Sequence, residues 1–184
     1  MLSLNFSPFP NLKTGRLLLR QVTFGDENEI FFLRSDENVN RYVDRPKPNS
    51  LQDARDHIDK VNNGIANNEA IFWGITLLDN NSIIGTICLW NISKENYTAE
   101  VGFDLMPGFQ GKGIMQEALV KVLDFGFNSI KFHSIEAVVD PRNSASAKLL
   151  EKTGFTKAGH FKEHEFFDGK FIDSVFYTLI TSVK

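Results

Sequence analysis

The sequence predicts an α+β fold: a mixed sheet, mostly antiparallel, with one parallel pair in its middle and helices on both faces. Three observations carry this. Residues 71–78, 82–92 and 98–106 are rich in β-branched and aromatic residues and are separated only by the turn-forming stretches DNNS and SKENY, which makes them an antiparallel meander. A helical stretch then separates residues 98–106 from the apolar run IEAVVD (135–140), so these two strands form a crossover unit and lie parallel. Two long extended segments flank Asp168-Gly169, a hairpin signal. With 184 residues, 42% of them hydrophobic and seventeen of them phenylalanine, the chain reads as one domain, 1–184, with a sizeable core.

Taken in order, RLLLRQV (16–22) is a first strand bounded by Gly15, and Asp26 is placed to cap a helix running through Ile30 and Leu33. Residues 38–50 contain two prolines and form a loop. Ser50 and Asp53 make a capping box, opening a helix whose buried stripe is Leu51, Ala54, Ile58, Val61 and Ile65. After the meander, a helix extends from about Gly113 to Phe127, with its stripe through Met115, Leu119, Val122 and Phe125. Asn143 caps a short helix through Lys152 that Gly154 ends.

Composition narrows the function classes. Twenty basic residues against 23 acidic ones give a formal charge of −3, without the broad positive field that nucleic-acid binding draws on. No run approaches the roughly 20 apolar residues of a membrane helix, and MLSLNFSPFP lacks the basic region of a secretory signal. The expected location is the cytoplasm. Cys88 is the only cysteine and lies in the apolar run IIGTICLW, as a small buried hydrophobe rather than a reactive thiol.

The most informative stretch is DLMPGFQGKGIMQEAL, residues 104–119. A strand ends near Met106, the chain turns through Pro107 and Gly108, and a helix starts near Gly113. Between them lies QGKGIM, from Gln110 to Met115. Glycines allow backbone N–H groups to turn to one side and a bulky anion to come close, and a helix N-terminus adds free donors and partial positive charge. Gly111, Lys112, Gly113 and Ile114 therefore suit a diphosphate, although the same pattern also serves as a plain chain reversal. A dinucleotide fingerprint requires a third glycine where Gln116 stands, and a Walker loop requires Ser or Thr where Gly113 stands.

QGKGIM resembles the pyrophosphate motif of the GNAT superfamily: Gln or Arg, two residues, Gly, one residue, then Gly or Ala. Gln110 and Gly113 match, and Met115 departs at the last position. KTGRLLLRQV, AEVGFDLMPGFQGKGIMQEAL and VVDPRNSASAKLLEKTGFTKAG are similar, in the same order, to the RimJ/RimL branch of that superfamily.

The resemblance implies an acetyl-CoA-dependent N-acetyltransferase that needs no metal. It further implies that the strand ending at Met106 splays from strand 135–140 to admit the pantetheine arm. The backbone of Phe103 to Met106 would pair with that arm, and the N–H of Met106 or Leu105 would face the thioester carbonyl. Glu100 is the candidate base, set against an ordinary exposed position in an alternating strand. Asn143 would bond the pantetheine arm and Ser146 would serve the departing thiolate, where the pattern alone gives only a helix cap.

His160 and His164, beside Glu163 and Glu165, lack a third well-spaced ligand, and Tyr177 reads as core. The expected reaction is direct transfer to a peptide or protein N-terminus. The alternatives are a small amine (a polyamine, aminoglycoside or amino acid) or an acyl-CoA sensor without turnover. The loop 38–50 and the hairpin at Asp168-Gly169 are expected to shape the acceptor end. A monomer and a homodimer both fit.

Overall fold

A computed structural model describes residues 2–167 and 169–181. Its eight strands are β1 (Leu12–Lys13), β2 (Leu17–Arg20), β3 (Ile71–Leu77), β4 (Asn80–Ser93), β5 (Thr98–Leu105), β6 (Ser134–Val139), β7 (Thr156–Phe167) and β8 (Lys170–Ile180). They form one sheet in the order β1-β2-β3-β4-β5-β6-β8-β7. Every neighbouring pair is antiparallel except β5 and β6. The helices are α1 (Glu27–Ser35), α2 (Leu51–Ala66), α3 (Ile114–Phe125) and α4 (Ser144–Lys152). Among the described residues, no helix is long and apolar enough to cross a membrane.

The helices cover both faces because successive strand residues point to opposite sides. In β3, the Trp73 ring meets Phe125 of α3 edge-on at 5.7 Å, whereas the adjacent Phe72 meets His57 of α2 at 5.8 Å. The larger core joins Trp73, Ile75, Ile87 and Leu89 to Leu119 and Val122 of α3 and Leu150 of α4. A smaller one joins Val22 and Ile83 to Ile30 and Leu33 of α1 and Ala54 and Ile58 of α2.

Local signals acted as expected at several ends. Ser50 accepts from Asp53 N–H at 3.3 Å while Asp53 accepts from Ser50 N–H at 3.1 Å, the reciprocal box that starts α2. Asn143 Oδ1 accepts from Ser146 N–H at 3.1 Å and starts α4. β7 and β8 pair from Thr156↔Thr178 to Phe167↔Lys170, and Asp168 of the intervening turn lies outside the described residues.

Three expectations need correction. Asp26 does not cap α1 with its carboxylate. Arg20 takes it in a two-pronged ion pair at 2.6 and 2.9 Å, stronger than a single neutral cap bond, and Thr23 N–H adds a third donor at 2.8 Å. Leu51, the first residue of α2, is exposed. The helix expected to reach Phe127 is α-helical only to Phe125 and then widens into a π turn, Gly126–Ile130. At Gly126, an added Cβ would lie 2.8 Å from Ile135 Cδ1, so glycine lets the chain pass this close to β6 without displacing that side chain.

Candidate active site

The parallel pair is short. β5 and β6 pair at Thr98↔Ser134, Ala99↔Ile135 and Glu100↔Glu136, and no further. Beyond Glu100, Val101 to Asp104 and Ala137 to Val139 part and line the same cleft, about 1160 Å³ in volume. That exceeds the roughly 300–1,000 Å³ of ordinary small-ligand pockets and is room for more than one substrate group.

The cleft's floor is one row of the pleat. Thr86, Cys88 and Trp90 of β4 stand opposite Asp104, Gly102 and Glu100 of β5, all on the α1–α2 side. Its walls come from α1 (Leu33, Arg34), the loop before α2 (Tyr42 to Pro46), α2 (His57, Lys60) and the start of α4 (Asn143, Ser146). Of the two segments expected to shape the acceptor end, the loop lines the cleft through Tyr42 to Pro46. No described residue of the β7–β8 hairpin lines the cleft, β8 standing behind β6 and β7 at the edge of the sheet.

The alternation of ladder bonds decides which β5 amides face the opening. Met106 N–H donates to Ile84 O at 2.9 Å, so Met106 points towards β4 and Leu105 points the other way. Phe103 shares the orientation of Leu105. Of the two amides expected at the thioester, Met106 N–H is thus already committed and Leu105 N–H is not. Gln110 Nε2 donates to Leu105 O at 2.9 Å, tying the glycine loop to the end of this strand.

In the loop itself, Gly111 and Gly113 adopt φ of +72° and +73°, the left-handed region that glycine enters without strain. Among the described residues, the backbone N–H groups of residues 111–116 have no acceptor. These are the donors of the two glycine turns and of the first turn of α3. Lys112 lies beside them, but its ammonium donates to Gly108 O at 2.8 Å. The side chains of Ile114 and Met115 are buried in the core, so Met115 adds no bulk on the open side. Arg16 braces the loop, pairing with Glu117 at 2.7 Å and donating to Lys112 O at 3.1 Å.

Glu100 is half-buried on the floor. Burial raises its pKa above the usual carboxylate value, the charges of Glu136 and Glu165 push the same way, and a hydrogen bond from Asn91 partly opposes them. Ser146 Oγ has no partner among the described residues, and Asn143 has its carboxamide oxygen in the cap while its Nδ2 remains free. Burial also drives the Cys88 thiol up to about 12, so it stays protonated at neutral pH. Tyr177 is buried, its hydroxyl donating to Glu151 at 3.2 Å, away from the cleft. His160 bonds Asp173 at 2.7 Å, and His164 packs on Phe161 and Phe176.

A strand opened against its parallel neighbour, followed by a glycine loop of unspent amides at a helix N-terminus, is paralleled in sequence. Residues 16–156 match the acetyltransferase (GNAT) domain. The chain belongs to the GNAT acetyltransferase family. It is therefore an acyltransferase, and its fold is the GNAT fold. The uncharacterized N-acetyltransferase p20 of Bacillus licheniformis is 34% identical to it over 169 residues, 92% of this chain and 95% of that protein. The ribosomal protein uS5-alanine N-acetyltransferase of Escherichia coli is 32% identical over 113 residues, 61% of this chain and 58% of that protein. A crystal structure of spermidine N-acetyltransferase from Vibrio cholerae with CoA and spermine is 25% identical, covers 92% of this chain and 98% of that one, and superposes with a TM-score of 0.81.

Several residues of this GNAT acetyltransferase's cleft carry no local sequence signal. Arg34 reads as a solvated charge near a helix end, Arg45 as part of a loop, and His57 as the polar neighbour of a buried Ile58. Arg45 pairs with Asp104 at 2.7 Å and also bonds Asn40 and Leu33 O, joining loop, helix and floor. His57 stays neutral, its pKa depressed to about 3 by burial and by the charges of Arg34, Arg45 and Lys60.

Proposed function

We propose that this protein transfers the acetyl group of acetyl-CoA directly to a primary amine, and that the amine is the N-terminus of a peptide or protein. The observation that carries the reading is the opening of the sheet beyond Glu100↔Glu136, with a half-buried carboxylate on its floor and unused amides in the glycine loop that follows β5. The donor supplies an activated thioester, and its groups suit what the chain leaves free. The N–H groups of residues 111–116 receive the diphosphate, with Gln110 and Lys112 shaping the loop around them. The free edge of β5 at Leu105 receives the pantetheine arm as an added strand, and Asn143 Nδ2 donates to the same arm.

Leu105 N–H, five residues and roughly 16 Å along the strand from Glu100, is left to the pantetheine arm. Phe103 N–H, which faces the same way and lies nearer Glu100, donates to the carbonyl oxygen as negative charge grows there, a contribution on the order of 3 kcal/mol for comparable donors. Met106 lines the end of this strand without offering its own N–H. Glu100 takes the amine's proton, directly or through water, and its raised pKa suits that task near neutral pH. Ser146 Oγ donates to the leaving sulfur. No covalent enzyme intermediate is needed, since Cys88 is held as a thiol.

A peptide N-terminus fits a cleft of this size, and a uS5-alanine N-acetyltransferase is among the relatives. A small polycation is the second reading, supported by the exposed Asp44, Asp56, Asp59 and Glu69 at the mouth and by the spermidine enzyme's likeness. Mass spectrometry of a library of N-terminal peptides and a panel of polyamines, each with acetyl-CoA, separates them. Acetylated peptides support the first reading. Silence across the library with turnover of polyamines overturns it, and coenzyme A binding with no thiol release from any amine would make the protein a sensor.

A further inference from the structure

Inside the mouth, the charge of the cleft changes sign. Arg45 and Arg34 are half-buried on the α1–α2 wall, and the carboxylate that faces them is Asp104. Arg45 takes it, at 2.7 Å, with both groups largely shielded from solvent. Arg34 senses the pull of Asp104 and the push of Arg45, yet has no hydrogen-bond acceptor or ion-pair partner in contact among the described residues.

Capping does not account for Arg34. It lies in the last turn of α1, where a cation favours the helix dipole, but Leu33 O is taken by Arg45 and Asn40, and Asp36 O by Asn40. A guanidinium is a five-donor fork that carboxylates match in shape and charge. Leaving one half-buried without an acceptor has a cost that a bound anion would repay. The acids at the mouth are exposed, as is Lys60, and solvent and salt screen them more than the inner wall. His57, neutral beside Arg34, offers a further hydrogen bond without altering the charge.

We infer that Arg34 is a specificity residue that binds a carboxylate on the acceptor, so that the preferred peptides carry Asp or Glu close to their N-terminus. This rests on the peptide reading for the identity of the acceptor, but not for the role of Arg34. Glu100 and Asp104 lie four residues apart on one row of β5, roughly 13 Å at the rise of a strand. An extended peptide whose amine reaches Glu100 spans that distance with its first four or five residues, so an acidic side chain among them falls against the arginine wall.

The test is kcat/KM, by thiol release, for peptides beginning Ala-Asp-Asp, Ala-Asn-Asn and Ala-Lys-Lys, with γ-aminobutyrate against n-butylamine as a small-molecule pair. A charge-assisted bond predicts that the wild-type protein prefers the Asp peptide to the Asn peptide about tenfold or more, chiefly through KM. Arg34→Ala should bring that ratio close to one, Arg34→Lys should keep part of it, and Arg34→Glu should favour the Lys peptide. Thermal unfolding and coenzyme A affinity of each variant check that the fold survives. A wild-type ratio near one, or a preference that Arg34→Ala leaves intact, overturns the inference while peptide turnover still stands. Silent peptides with an Arg34-dependent preference for γ-aminobutyrate overturn the peptide reading and keep the inference.

Discussion

The two ends of the proposed site are built differently. At the proposed donor end, the glycine loop just past the residues that line the cleft, the groups on offer are backbone amides, those of residues 111–116 and of the free β5 edge, and the side chains there are braces or core. At the proposed acceptor end, inside the cleft, the groups are side chains, Arg34, Arg45, His57 and Glu100, brought from two helices, a loop and a strand. Recognition by amides needs a particular local path of the chain, which glycines at fixed spacing can specify within six residues. Recognition by side chains needs only that distant elements meet, so it can be changed one residue at a time without disturbing the fold.

The largest expected effect belongs to the acceptor end. Glu100→Gln keeps the shape and removes the proposed base, and kcat should fall by about 10²–10⁴ while coenzyme A affinity changes little. The pH profile gives a sharper reading. A base must be ionised to act, and the pKa of Glu100 is raised by burial, so activity should be lost as pH falls through a value above the usual 4.5. Measured as kcat at saturating amine, that acidic limb should be present in the wild-type protein and absent from Glu100→Gln. A limb of the same position in the variant would assign proton removal to another group.

The contrast between the two ends also explains what could be read from the sequence. The meander, the crossover strand, the Ser50–Asp53 box, the Asn143 cap and the glycine loop are each set by neighbours a few residues away, and the structure has them close to where the sequence indicated. Asp26 failed as a cap because Arg20, on a different element, competes for its carboxylate. The described residues of the hairpin do not line the cleft, since strand order puts β8 and β7 beyond β6, although the charge of Glu165 on β7 still bears on Glu100. Arg34 and His57 went unnoticed because a charged or polar residue on a helix acquires meaning only from what packs opposite it.

A smaller effect tests the donor end. In Gly113→Ala the new Cβ would lie no closer than 3.6 Å to a neighbour, Arg16 Nη2, so no clash arises. The cost is the left-handed φ of +73°, worth about 1–2 kcal/mol for an L-residue. Calorimetry should show coenzyme A binding weakened by about tenfold, with the ratio between acidic and neutral peptides unchanged. A shift in that ratio would mean that the two ends are coupled and that the comparison between them is too simple.

The smallest expected effect is the most discriminating for how the anion is held. Lys112 is the one residue of the loop with a full positive charge, and on charge alone its loss should be the costliest. Its ammonium is exposed and already engaged by Gly108 O, with the Phe109 ring 5.7 Å away. Water and salt weaken such a charge, whereas six amides fixed by the turns and α3 cost nothing further to orient. Lys112→Ala should therefore change coenzyme A affinity by only about twofold, an exposed charge being worth about 0–1 kcal/mol. Its salt dependence should stay close to that of the wild-type protein. If Lys112→Ala weakens binding more than Gly113→Ala does, the ammonium holds the diphosphate, and the glycines merely turn the chain.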